Sequence, residues 1–203
     1  MNTKRDTTLD SRRAAIGATL SGAVLPARPD SPSRRLAVRL LEASDGALIE
    51  AFYRGLSAET LYRRFHTPTR EVRPQLLQLL LGMDGRDHLA LGAFRGPALV
   101  GEARYVRLPE DGTTAEIAAT VADGAQGQGV GKRLLRALAL RARAGGVAHF
   151  LYTVQADNEA ATALFARRGQ HLSTAYDQRT GVIEVDRLLA AAPETAPGAR
   201  ATA

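Results

Sequence analysis

The stretch Thr114 to Gly146 reads TAEIAATVADGAQGQGVGKRLLRALALRARAGG, and its reading decides the fold. Its apolar opening predicts a strand. Leu134, Leu135, Leu138 and Ala142 recur at helical spacing further on and predict an amphipathic helix. Between them lies Gln126-Gly127-Gln128-Gly129-Val130-Gly131. Glycines at alternate positions remove side chains where backbone N–H groups can converge. The helix start adds unpaired N–H groups and the positive end of its dipole. The combination is a cradle for an anion, most often a phosphate. A Walker loop is excluded, because Gly131-Lys132 is followed by Arg133 rather than Ser or Thr, and Gln126 stands where the first glycine belongs. A dinucleotide fingerprint is excluded as well: Lys132 occupies its third glycine position, and no acidic residue ends the next strand.

Outward from that stretch, the pattern is strand, helices, three strands, helix, strand, helix, two strands. Leu36–Leu41 predicts the first strand, with Ser44 or Asp45 capping a helix through Phe52 and Tyr53. Ser57 caps a second helix and Pro74 opens a third. Residues 88–94, 98–107 and 113–122 predict a meander, 148–154 an apolar central strand, and Asp157 a cap for the helix carrying Ala161, Leu164 and Phe165. A last hairpin is expected from Leu172–Tyr176 and Val182–Leu188, turning near Arg179-Thr180-Gly181. The fold class that follows is α/β (α+β), a mixed central sheet flanked by helices on both faces.

Three segments are expected: a disordered extension over 1–34, a folded domain over 35–189 and a disordered tail over 190–203. Ser11-Arg12-Arg13 before Ala14–Leu25 has the look of a twin-arginine signal, but that stretch is only weakly apolar, so a cytoplasmic protein is expected. With no cysteine, disulfides, thiolate zinc sites and a thiol nucleophile are excluded; no metal is expected. No run of about 18 apolar residues suggests a membrane span. Net charge is +6, nearly all of the cations being arginine, which favours anionic ligands. Scattered basic residues and 5% aromatics argue against nucleic acid as a partner.

The pattern that does fit the loop is Gln-x-x-Gly-x-Gly, at Gln126, Gly129 and Gly131. It resembles the acyl-CoA pyrophosphate loop of the GNAT acetyltransferases. The strand before it, the helix after it, the strand Phe150–Val154, and Asp157-Asn158-Glu159-Ala160-Ala161 with Leu164-Phe165 and Gly169 fall where that family has them, so the resemblance covers about 36–188. Phe52 to Phe65, with Gly55-Leu56-Ser57 and Arg64-Phe65, and Ala115-Glu116-Ile117-Ala118 are similar to segments of the bacterial protein-lysine acetyltransferase (Pat-like) subgroup. Relatives in that subgroup often carry a fused synthetase-like or cyclic-nucleotide-binding domain, for which 203 residues leave no room, so a stand-alone domain is expected.

The resemblance implies direct transfer of an acetyl group from acetyl-CoA to a primary amine, protein lysine being favoured over a polyamine, aminoglycoside or amino acid. The protein would act as a monomer or homodimer. Glu116 is the candidate base; burial among Ile117, Ala118 and Ala119 would raise its pKa. Backbone N–H groups near Val121 would bind the thioester oxygen, with Val121 and Ala122 along the pantetheine. Gln126, Gly127, Gln128, Gly129, Val130, Gly131 and Lys132 would bind pyrophosphate. Asn158 would contact the CoA arm or cap its helix. Phe165 stands where many members have a Tyr that protonates the thiolate, and Phe has no proton to give. Tyr152 or water would replace it, or the thiolate would leave bare. Phe165 also keeps open a non-catalytic acyl-CoA-binding module. His88 and His149 are expected to be structural, and His66 to lie on the surface or at the acceptor entrance.

Overall fold

The computed structural model describes residues 35–69, 71–110, 112–166, 169–175 and 177–190. The expected extension over 1–34, nearly all of the 190–203 tail, and the side chain of Leu164 lie outside them. Seven strands form one mixed sheet: β1 (Leu36–Leu40), β2 (His88–Arg95), β3 (Ala98–Arg107), β4 (Thr114–Val121), β5 (His149–Gln155), β6 (Gln170–Ala175) and β7 (Gln178–Glu184). Their spatial order is β1-β2-β3-β4-β5-β7-β6, antiparallel throughout except for the β4–β5 pair. The α-helices among the described residues are α1 (Gly46–Arg54), α2 (Ala58–Phe65), α3 (Pro74–Leu81), α4 (Val130–Ala144), α5 (Glu159–Ala166) and α6 (Val185–Leu189). None is long and apolar enough to cross a membrane, among the described residues.

Alternation along the strands splits the core in two. Leu89, Leu91 and Ala93 of β2 face Val130, Leu134 and Leu138 of α4, together with Phe165 of α5 and Val185 and Leu188 of α6. Ala90 and Phe94 face Ile49, Phe52 and Tyr53 of α1, Leu61 of α2 and Leu80 of α3. Helices therefore cover both faces, as the apolar spacing predicts. Ser57 caps α2, its Oγ accepting from the Thr60 N–H at 3.2 Å, and Pro74 opens α3.

Three local expectations are corrected. Asn158, not Asp157, caps α5: its Oδ1 accepts from the Ala161 N–H at 3.1 Å. Asp45 precedes α1 without capping it; Arg39 takes its carboxylate at 2.7 and 2.8 Å, and that hydrogen-bonded cation holds its pKa down at about 2. In the last hairpin β6 ends at Ala175, paired with Gln178 at the start of β7, so the chain does not reverse near Gly181. Gly181 sits inside β7, where a Cβ would lie 2.3 Å from the Tyr152 hydroxyl oxygen, so the glycine makes room for a ring rather than for a turn. Residues 185–189 then wind into α6 against α4 instead of extending the strand.

Under α1 and α3 lies a buried polar network. Glu102 and Arg104 of β3, at 1% and 4% exposure, pair at 2.6 Å. The Tyr53 hydroxyl donates to Glu102, and Arg104 donates to the Leu80 carbonyl at 2.9 Å and to His88 Nε2 at 3.3 Å. An arginine cannot accept, so His88 Nε2 is the acceptor, and the ring proton sits on Nδ1, which donates to the Gly82 carbonyl at 3.0 Å. Burial and the Arg104 charge hold His88 below the usual histidine range. The unfolded chain therefore takes up this proton first as pH falls, and stability declines on acidification below about pH 6.5. Melting curves between pH 7.5 and 5.5 should show this decline, smaller in His88→Gln; an equal decline in the variant would place the titration elsewhere. The role of His88 is structural, as the sequence indicates.

Candidate functional site

The site is the gap between β4 and β5. These parallel strands pair only at Thr114–His149, Ala115–Phe150 and Glu116–Leu151. Beyond Glu116 they diverge, although β4 continues to Val121 and β5 to Gln155. Main-chain groups alternate in direction along a strand, so about half of those on Ile117–Val121 face the gap instead of a partner strand. A cavity of about 820 Å³ fills the divergence. The start of α4 walls one end and the last turn of α2 the other.

At the α4 end, Gly127 and Gly129 have φ of 71° and 77°, the left-handed region where a Cβ is strained. The first helical bond runs from the Arg133 N–H to the Gly129 carbonyl at 3.1 Å, so the N–H groups of Val130, Gly131 and Lys132 have no preceding turn to bond. Those donors, the helix dipole and Lys132 converge on the cavity and fit a pyrophosphate. Gln126 has a different task. Its N–H donates to the Asp123 carbonyl at 3.3 Å, and its Nε2 donates to the Val121 carbonyl at 3.1 Å and to Thr60 Oγ1 at 3.2 Å. It lines the cavity but braces the loop.

Of the residues singled out in the sequence, Glu116, Val121, Gln126, Gly127, Gly129, Val130, Gly131, Lys132, Asn158 and Phe165 all line this cavity. Ala122 and Gln128 do not. The Ala122 N–H donates to the Val100 carbonyl at 3.0 Å, and its side chain packs toward the core. Gln128 Nε2 donates to the Gly124 carbonyl at 2.8 Å, and its Oε1 accepts from Arg95. Asn158 lines the cavity while capping α5. Glu116 is exposed, so the burial expected to activate it is missing: the strand alternation turns its side chain into the open cavity, away from the Ile117 face. Phe165 stacks on Tyr152 with centroids 4.1 Å apart and planes 10° apart. Burial pushes the Tyr152 hydroxyl up in pKa, and its oxygen packs toward Gly169 and Gly181.

Four residues at the site escaped the sequence reading or were undervalued by it. Asp123 accepts from the Ser57 N–H at 2.9 Å, Ser57 Oγ at 2.6 Å and Thr60 Oγ1 at 2.8 Å, tying the start of α2 to the glycine loop. Thr120 Oγ1, on the Glu116 side of β4, is buried with no hydrogen-bond partner among the described residues. Arg64 and His66 line the α2 end. Gln155, itself buried, reaches His66 Nδ1 through its Nε2 at 3.1 Å. Burial first and the Arg64 charge second hold His66 below its ordinary range, with the Thr153 main chain and Glu116 opposing. An uncharged imidazole thus stands near Glu116 at neutral pH. The "RF" segment was the available signal for Arg64 and His66; Asp123 lies 66 residues from Ser57 in sequence and gave none.

Comparison with known proteins agrees with this geometry. Residues 50–170 match the acetyltransferase (GNAT) family. The chain is 40% identical over 117 residues to the acetyltransferase Pat of Mycolicibacterium smegmatis, a match covering 56% of the chain and 34% of that protein. It therefore spans about a third of the length of that relative. The GNAT domain of S. lividans PAT superimposes with a TM-score of 0.67 at 24% identity, over 72% of this chain and 89% of that one. YncA of Salmonella typhimurium, solved with its cofactor acetyl-CoA, superimposes with a TM-score of 0.56 at 19% identity, over 79% and 98%. At such identities the likeness is one of fold. The family match takes in more than half of the chain, and the chain accordingly belongs to the GNAT acetyltransferases, a family of acyltransferase enzymes.

Proposed function

We propose that the protein moves an acetyl group from acetyl-CoA to the ε-amine of a protein lysine. The observation that carries this reading is the cavity at the β4–β5 divergence, with a phosphate-type loop at one end and Glu116 at the other. Acetyl-CoA supplies the activated acyl group. The chain's own residues do the rest: N–H groups of Gly127, Gly129, Val130, Gly131 and Lys132 hold the pyrophosphate, and the open main-chain edge near Val121 aligns the thioester and donates to its oxygen. Glu116 takes the proton from an amine whose unperturbed pKa is about 10.4. The Thr120 hydroxyl, buried and without a partner among the described residues, is a donor for charge developing on the thioester, where Phe165 has none to offer. Working on acetyl-CoA fits a cytoplasmic protein.

Support for lysine comes from the resemblance of the Phe52–Phe65 segment and from the 40% identity with Pat. The lining points the same way. Among the described lining residues the one carboxylate is Glu116, against Arg63, Arg64 and Lys132, whereas polyamines and aminoglycosides call for an acidic pocket.

Acetyl-CoA at about 100 times its Kd should stabilise the fold by roughly 2.7 kcal/mol and raise the Tm by several degrees. Gly129→Glu should abolish the rise, since it strains a φ of 77° and sets a carboxylate where the pyrophosphate belongs. A wild-type melt unchanged at saturating acetyl-CoA would remove the donor from this proposal.

A further inference from the structure

Three side-chain polar atoms are buried without a hydrogen-bond partner among the described residues: Arg64 Nε, Thr120 Oγ1 and Thr162 Oγ1. Arg64 and Thr120 line the β4–β5 cavity, and Thr162 does not. An unpaired buried donor is costly, so two of them lining one cavity mark a place where a ligand completes the bonding.

Arg64 presents more than an orphan N–H. Its guanidinium carbon lies 4.9 Å from the Phe65 ring centroid, which orients the planar group. Among the described residues no carboxylate pairs with it. Its neighbour Arg63 is paired, with Glu59 at 2.6 Å. Lys132, the remaining lining cation, belongs to the loop end. Glu102, within electrostatic reach of Arg64, is already committed to Arg104 and Tyr53. Among the described residues, Arg64 is therefore the cation left without a carboxylate at the end of the cavity that also holds His66, within reach of Glu116.

A guanidinium with open donors is suited to bidentate capture of a carboxylate. It also disfavours a polycation. We propose that Arg64 is a specificity-determining residue that binds a carboxylate of the acceptor, so that the preferred acceptor is a lysine with an acidic residue beside it. This rests on the lysine reading above. The shared chemistry is an amine accompanied by a carboxylate; in a free amino acid the α-carboxylate would supply it.

The test follows CoA release by the full chain at saturating acetyl-CoA. Acceptors are paired lysine peptides that differ only in Glu or Gln beside the lysine, with free lysine, lysine amide and spermidine as further arms. The Glu peptide should have a kcat/KM about tenfold above the Gln peptide, mostly through KM, the scale of one charge-assisted contact. Arg64→Gln should erase the difference and Arg64→Lys restore part of it, while the Tm rise with acetyl-CoA shows that each variant is folded and loaded. Should free lysine outrun lysine amide while no peptide reacts, the carboxylate preference stands and the protein-lysine reading falls. Equal rates within both pairs in the wild type, which need no variant, overturn the proposal. So does a preference that survives Arg64→Gln, or transfer confined to spermidine.

Discussion

Replacing Glu116 by Gln is expected to slow acetyl transfer by about 100-fold, the scale of a lost general base, while the acetyl-CoA-induced rise in Tm persists. Gln keeps the size and the hydrogen-bonding capacity of Glu but cannot take a proton from the amine. Glu116 is exposed, so the substitution removes no core contact and the unliganded melt should stay within about 0.5 kcal/mol of wild type. The loss should fall on kcat and kcat/KM together, as for an interaction made in the transition state. His66 supplies the sharpest alternative. Its ring lines the same cavity, is held below the usual histidine range by burial and Arg64, and is uncharged at neutral pH. If His66 is the base, His66→Gln carries the large loss and Glu116→Gln stays near wild type. Running both substitutions in parallel separates the two.

Glu102→Gln is expected to destabilise the fold by about 3–5 kcal/mol, because it leaves the Arg104 charge buried without its counter-charge. Burial alone would push the Glu102 carboxyl up; the Arg104 charge and hydrogen bonds outweigh it and hold the group below the usual carboxylate range. The corresponding stability is present above the unfolded-state pKa, near 4.5, and is lost as pH falls through the lower folded value. At pH 7 the substitution should lower the Tm by roughly 10 °C in a domain of this size. Breaking the partly exposed Arg39–Asp45 pair should cost less than about 1 kcal/mol. Similar effects from the two would mean that the Glu102–Arg104–Tyr53 network contributes little beyond a surface pair. The network also bears on the site: Tyr53 packs on Phe65 at 5.5 Å, next to Arg64 and His66, so the buried pair supports the part of the cavity lining that these residues form.

What the sequence made legible was local. The glycine spacing from Gln126 to Gly131, the leucines of α4, the Ser57 cap and Pro74 each act within a turn or two of chain. Each was readable because its partner lies a few residues away. What escaped depends on contacts distant in sequence. Asp123 bridges Ser57 and Thr60 from 66 and 63 residues away in sequence, and nothing near Asp-Gly announces that. Gly181 resembles a turn glycine until Tyr152 is seen to need the space. Residues 182–188 continue a strand-like run, but Val185 and Leu188, three residues apart, pack into the core beside α4 as one face of a helix. Glu116 lies on the expected strand and lines the cavity, but it is exposed rather than buried. Its neighbours Ile117 and Ala119 point to the opposite face of β4, and the divergence of β5 opens its own side to the cavity.

The most direct measurement is CoA release by the full chain with acetyl-CoA and a lysine-containing protein, followed by mass spectrometry of the acceptor. The expected result is amine-dependent release of one CoA per acetyl group found on a lysine Nζ. Acetyl-CoA binding with no release above the amine-free rate, for proteins, peptides, amino acids and polyamines alike, would contradict it.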